Sequence, residues 1–214
     1  MTISPEIAIR LEDPQITTHL SKAVADEPIS HEQRRELIEA NSRARKVRRA
    51  VKVATFNGWS IGVFAALSLP FAMFSVTSLV MCLALALVAY NEFRGRKLLD
   101  RFEPRGPRAL GWNQLVLMGV LTGYSVWNIY LAETGPGPYA EQIKATPELG
   151  SMLGWVDDLH KTVTLAVYGS LIVASLIFQG LNALYYFTRE KHLQSFLKQT
   201  PAWVVDLQRS LSTG

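Results

Sequence analysis

The chain has 214 residues, 49% of them hydrophobic and 19% charged, with a formal net charge of +4. The charge lies outside four apolar blocks, whereas a soluble globular helix shows it every turn or two; with about half the chain in lipid, no segment remains for a sizeable independent water-soluble core. The single Cys82 excludes disulfides within the chain and cysteine-based metal clusters.

Residues 1–29 carry Pro5, Pro14 and Pro28, mixed charges and no clear period, and are expected to form a mobile tail. At Ser30 the pattern changes. Ser30 with Gln33 three residues on matches a capping box, which predicts a helix from His31. Leu37, Ala40, Ala44, Val47 and Val51 fall on one face by steps of three and four, while the other faces carry Arg34, Arg35, Arg43, Arg45, Lys46, Arg48 and Arg49.

From Val53 to Asn91 there is no Asp, Glu, Lys, Arg or His. A spanning helix needs roughly 20 mostly apolar residues, so the run holds two passes and reads as a transmembrane hairpin. Span one is placed at Val51–Leu69 and span two at Phe71–Phe93, with the turn between Leu67 and Ser75. Pro70 is expected in the first turn of the second helix, where its missing N–H is no loss. Preceded by a long polar stretch, the first span is expected to serve as an uncleaved membrane signal. The second helix is expected to continue over Glu92–Phe102, carrying Arg94, Arg96, Lys97 and Arg101, and to be ended by Pro104, Gly106 and Pro107.

Span three is placed at Asn113–Ala132, with Trp112 and Gln114 at one end and Trp127 and Tyr130 toward the other, where amphipathic rings favour the headgroup level. Gly135-Pro136-Gly137-Pro138 stops it. The connection over 133–160 is broken by Pro147, Gly150 and Gly154, with a short surface helix expected through Met152–Leu159. Span four is placed at Thr162–Phe187 and extends as Thr188–Gln199. Thr200-Pro201 then reads as N-cap and first position of a last helix, showing Trp203, Val204, Leu207 and Leu211 on one side. No internal repeat supports an inverted-repeat transporter. The fold class is therefore all-α: a polytopic membrane protein with four transmembrane helices and cytoplasmic helical extensions. Its parts are a tail at 1–29, a basic amphipathic helix at 30–52, a four-helix transmembrane domain at 53–187 and a helical segment at 188–214.

The basic residues set the orientation. Of the 22 Lys and Arg, 10 lie in Met1–Lys52, 6 in Arg94–Arg108, 2 in Glu133–Lys161 and 4 in Arg189–Arg209. The 133–161 connection also holds Glu133, Glu141, Glu148, Asp157 and Asp158. Because Lys and Arg are retained on the cytoplasmic side, both termini and the 94–110 loop are expected inside. The Arg-rich flanks and the lack of a transit-like N-terminus point to a bacterial inner (plasma) membrane.

An ionisable residue at mid-membrane would mark a proton or ion path, and none is present. Lys52 and Glu92 sit at the ends of spans, where snorkelling is expected to suffice. His19, His31, His160 and His192 all fall outside the lipid, which excludes a haem held by two histidines between spans. No cofactor is expected.

Span four carries a polar stripe of Tyr168, Ser175, Gln179, Asn182 and Tyr186, which either lines a pore or makes hydrogen bonds between helices. Asn57 in span one and Asn128 in span three are its expected partners. Gly119 and Gly123 form G-x-x-x-G in span three, a helix-packing signal within or between chains. Asp157 and His160 are too few to hold a metal, and Asp157 is expected to pair with Lys161 four residues on. Arg43, Arg45, Lys46, Arg48, Arg49, Arg94, Arg96 and Lys97 form a belt suited to anionic lipid headgroups. The belt lacks the aromatic platform of a nucleic-acid site, so none is expected.

No P-loop, nucleophile elbow, zincin or dinucleotide fingerprint occurs. These observations point to a non-enzymatic structural or accessory membrane subunit, working as a homo-oligomer or in a larger complex. Its motivation is the pair of apolar stripes outside the membrane, Leu37–Val51 and Leu193, Phe196 and Leu197, which need partners. The first rival is an oligomeric channel lined by span four. The second, an enzyme acting on lipids, would gather Asn91, Glu92, Asn113, Gln114 and Asn182 at one headgroup level, with His192 nearby.

Overall fold

Ser30 closes the capping box read from the sequence: its Oγ accepts from the Gln33 N–H at 3.2 Å, and Gln33 Oε1 accepts from the Ser30 N–H at 3.0 Å. The computed structural model describes residues 30–146, 148 and 150–212; the tail at 1–29 and the break at Pro147 lie outside the described residues. From the cap, α1 (His31–Ala72) runs unbroken for 42 residues, about 63 Å at 1.5 Å per residue. That is roughly twice the hydrocarbon thickness of a bilayer.

Pro70 lies inside the last turn of α1 rather than at the start of the second helix. Ser75 decides the boundary. Its backbone is extended and its hydroxyl accepts from the Ser78 N–H at 3.5 Å, so α2 (Val76–Asp100) starts just after it. Pro70 costs α1 one hydrogen bond where the helix is ending anyway.

At the far end of α2, Glu103 N–H donates to the Leu98 carbonyl and Phe102 N–H to the Leu99 carbonyl. This is a Schellman closure. Phe102 holds the left-handed position usually given to glycine, at φ 54°. Its ring is 4% exposed and stacked on Phe196 at 4.9 Å, and that burial offsets the backbone cost. Pro104 caps α3 (Arg105–Thr134), so Gly106 and Pro107 open this helix as well as separating it from α2. A Cβ on Gly106 would stand 2.7 Å from the Leu99 backbone nitrogen, which is how tightly the chain doubles back.

Gly135 ends α3 as its motif requires. A short α4 (Ala140–Ala145) follows, unanticipated in the sequence, and then α5 (Gly150–Gln199) of 50 residues. The expected surface helix at Met152–Leu159 is not separate: it is the first part of α5. One glycine, Gly154, costs a helix only about 1 kcal/mol and does not break it. Pro201 itself takes the cap position of α6 (Ala202–Leu211); Thr200 does not cap it, and its buried Oγ1 has no hydrogen-bond partner.

Among the described residues there is no strand, and α1, α2, α3 and α5 are each long and apolar enough to cross a membrane. They form two hairpins, α1 with α2 and α3 with α5, joined along α2 and α3. Helices α1 and α5 touch less extensively. The main core lies at the basic end, where Ala40, Ala44, Val47, Ala50, Val51 and Ala54 of α1 meet Leu99, Phe102, Leu110, Tyr186, Leu193, Phe196, Val204 and Val205. The two stripes that needed partners therefore find each other within one chain. On α6 the buried face is Val204, Val205 and Gln208, while Trp203, Leu207 and Leu211 are turned outward. The reason is local: Trp203 Nε1 donates to the Glu36 carboxylate at 3.1 Å, holding that edge against the flank of α1.

Candidate functional site

Along α2 the buried positions are Cys82, Leu85, Val88, Ala89, Glu92, Gly95 and Leu99, one stripe at helical spacing. Glu92 thus points into the bundle, fully buried, and does not snorkel to water as its place near a span end suggested. A charge near the end of an apolar run looks the same in sequence whether it turns outward or inward. Lys52 is exposed.

Every long helix reaches this carboxyl group. Asn113 Nδ2 and Gln114 Nε2 of α3 donate to Glu92 Oε2 at 2.7 and 3.1 Å. The Tyr186 hydroxyl of α5 donates to Oε1 at 3.0 Å and accepts from Asn57 Nδ2 of α1 at 3.2 Å. Asn113 also donates to the Val88 carbonyl at 3.0 Å, tying α3 to the α2 backbone. A buried carboxyl is tolerable only when its oxygens are hydrogen-bonded, and here both are.

Glycines let the helices come this close. A Cβ on Gly95 would stand 2.7 Å from Leu110 Cδ2, and one on Gly111 2.6 Å from the Phe187 ring. By contrast, Gly119 and Gly123 are exposed, and an added Cβ at either would meet nothing within 4 Å. The glycines that pack α2 and α3 within the chain are single ones, while the recognisable G-x-x-x-G faces away from the bundle.

The stripe on α5 faces inward. Tyr186 and Ser175 are buried, and the Tyr168 ring meets the Tyr124 ring edge to face at 5.8 Å. Ser175 Oγ and Gln179 Oε1 are buried with no hydrogen-bond partner. Asn57 joins the stripe through Tyr186; Asn128 does not, because its Nδ2 donates to the Tyr124 carbonyl on its own helix at 2.8 Å. Toward the hairpin turn, a crevice of about 350 Å³ opens between α1 and α5. Asn57, Gln114, Gln179 and Asn182 line it together with apolar side chains that include Ile61, Phe64, Leu121 and Leu171.

Of the residues considered for a lipid enzyme, Glu92, Asn113 and Gln114 come together, while Asn182 lines the crevice. His192 lies in a separate shallow hollow with Ser42, Arg43 and Lys46. Asp157 and Lys161 do not pair; the Asp157 carboxyl stands against Gly137, where a Cβ would collide with it. Among the described residues, no group of three or more His, Cys, Asp and Glu stands together to hold a metal.

In the basic belt, Arg43 is committed to the protein: Nη1 donates to the Gln199 carbonyl at 2.8 Å and Nη2 to Glu39 at 3.3 Å. It serves the C-terminus of α5, where a cation is favoured. Arg45, Lys46, Arg48, Arg49, Arg94 and Lys97 are exposed, and Arg96 is half-buried.

The Glu92 cluster ties four helices at one level and has no serine or cysteine nucleophile among its bonded partners. Neither family models, curated proteins nor solved structures yield a match to this chain.

Proposed function

We propose that this chain is a non-enzymatic, multi-pass subunit of a bacterial inner membrane, with both termini cytoplasmic, completed by further helices in a homo-oligomer or a larger membrane complex. The observation that carries the reading is the α3 face bearing Gly119 and Gly123, where among the described residues nothing lies within 4 Å of an added Cβ. In lipid, apolar area alone does not drive helices together, and small residues that permit close approach do. Exposed Leu207 and Leu211 on α6 add apolar surface outside the spans. Exposed Arg45, Arg48, Arg49, Arg94 and Lys97 suit anionic headgroups, at about 1 kcal/mol for each charge near the surface.

A channel of several copies lined by span four is supported less well. Its polar stripe would have to face a shared axis, yet Tyr186 and Ser175 are buried within a single chain.

The test is particle mass in mild detergent or nanodiscs. The intact chain is expected to form a species of fixed copy number, or to retain foreign subunits. Gly119→Leu with Gly123→Leu is expected to release single chains whose unfolding is unchanged, since both positions are exposed and a Cβ at either meets nothing within 4 Å. Single chains from the unsubstituted protein, with no foreign subunit, would sink the proposal.

A further inference from the structure

We infer that the crevice between α1 and α5 binds a neutral, hydroxyl-bearing lipid, such as a diacylglycerol, drawn from the leaflet on the basic side of the bundle. Its volume of about 350 Å³ falls within the range of small-molecule sites. Along α1 it extends from Asn57 to Ser68, about 16 Å at helical rise. That is roughly half of a 30 Å hydrocarbon layer, the depth of one leaflet.

The lining is ordered along that depth. Asn57 and Gln114, which also belong to the Glu92 cluster, mark the end nearer the basic side, and Gln179 and Asn182 follow within about two turns of Tyr186. Beyond them the walls are mostly apolar, with Phe64, Leu121 and Leu171, the setting for a hydrocarbon tail. The Ser68 hydroxyl at the far end is spent on the Phe64 carbonyl of its own helix. A lipid of that leaflet would enter with its head at the amides and its tail toward the bilayer centre.

The choice of head follows from the hydrogen bonds left over. Asn57 Nδ2 and Gln114 Nε2 each give one N–H to the cluster, to Tyr186 and Glu92. Gln179 Oε1 is a buried acceptor with no donor. A hydroxyl supplies that donor. A phosphodiester or a fatty carboxylate offers no donor to Gln179 Oε1 and brings a negative charge that no cation of the lining meets.

The experiment uses the full chain in phosphatidylcholine nanodiscs with a diacylglycerol carrying a photoreactive group on one tail. Saturable labelling of peptides containing Phe64 and Leu171 is expected, competed by unlabelled diacylglycerol but not by the same excess of phosphatidic acid. Ile61→Trp, which fills the crevice from α1, is expected to abolish it. Leu171→Trp fills the crevice from α5 and answers the same question should the first variant fail to fold. Gln179→Leu is expected to weaken binding about tenfold, one hydrogen bond's worth. Labelling equally strong at the outward Val173 and Ile177, or indifferent to both tryptophans, would overturn the assignment. Equal competition by phosphatidic acid would overturn the choice of head.

Discussion

The two ends of the bundle are built to different rules. At the basic end, α1, α2, α3, α5 and α6 converge on one core, with Leu99, Leu110, Tyr186, Leu193, Phe196 and Val204 all shut away from the surface. Toward the hairpin turn, the second cluster is only Ile61, Ala65, Leu85, Val88, Ala89 and Leu117, and large side chains such as Phe71, Phe74 and Val80 are exposed. That is the division expected where one end stands in water and the other in lipid. Water drives apolar faces together, whereas lipid tails are as apolar as the helices and do not.

Substitutions at each end should break or sharpen this contrast, measured by unfolding in detergent. Phe196→Ala removes the ring stacked on Phe102 and should cost about 3–5 kcal/mol, enough to free α6 to protease. Glu92→Leu leaves three donors facing methyl groups and should cost about 3 kcal/mol. Glu92→Gln, which keeps one acceptor oxygen, should cost clearly less; equal costs would mean that the carboxyl is not the acceptor for all three donors. Gly95→Ala pushes a methyl group against buried Leu110 and should cost about 2 kcal/mol. Val80→Ala, on the lipid-facing side near the turn, should change stability by less than about 0.5 kcal/mol. A loss at Val80 comparable with that at Phe196 would erase the distinction between the ends.

What the sequence made legible follows the same divide. Uncharged runs of spanning length and clusters of Lys and Arg are properties of the chain taken in one dimension, so four long apolar helices and the capping box at Ser30 could be read directly. The inward set of Glu92 could not, because it depends on how α2 is rotated against α3 and α5. The same holds for Gly95 and Gly111, whose neighbours Leu110 and Phe187 are brought there by packing. Asn113 and Gln114 were visible as polar residues at a helix end; only the fold shows that both donate to one carboxyl oxygen. Helix ends failed where two signals competed, as at Pro70 against Ser75 and at Thr200 against Pro201.

The Glu92 cluster also has a bearing on biosynthesis. Chains emerge N-terminus first, so the carboxyl group reaches the bilayer together with Asn57 but ahead of Asn113 and Gln114. Tyr186, which closes the last contact, follows 94 residues later. Until the final span is threaded, the acid must be served by solvent, and a station one helical turn or so from the charged flank Arg94–Lys97 keeps water within reach. Completion of the knot therefore waits for the last of the four long helices.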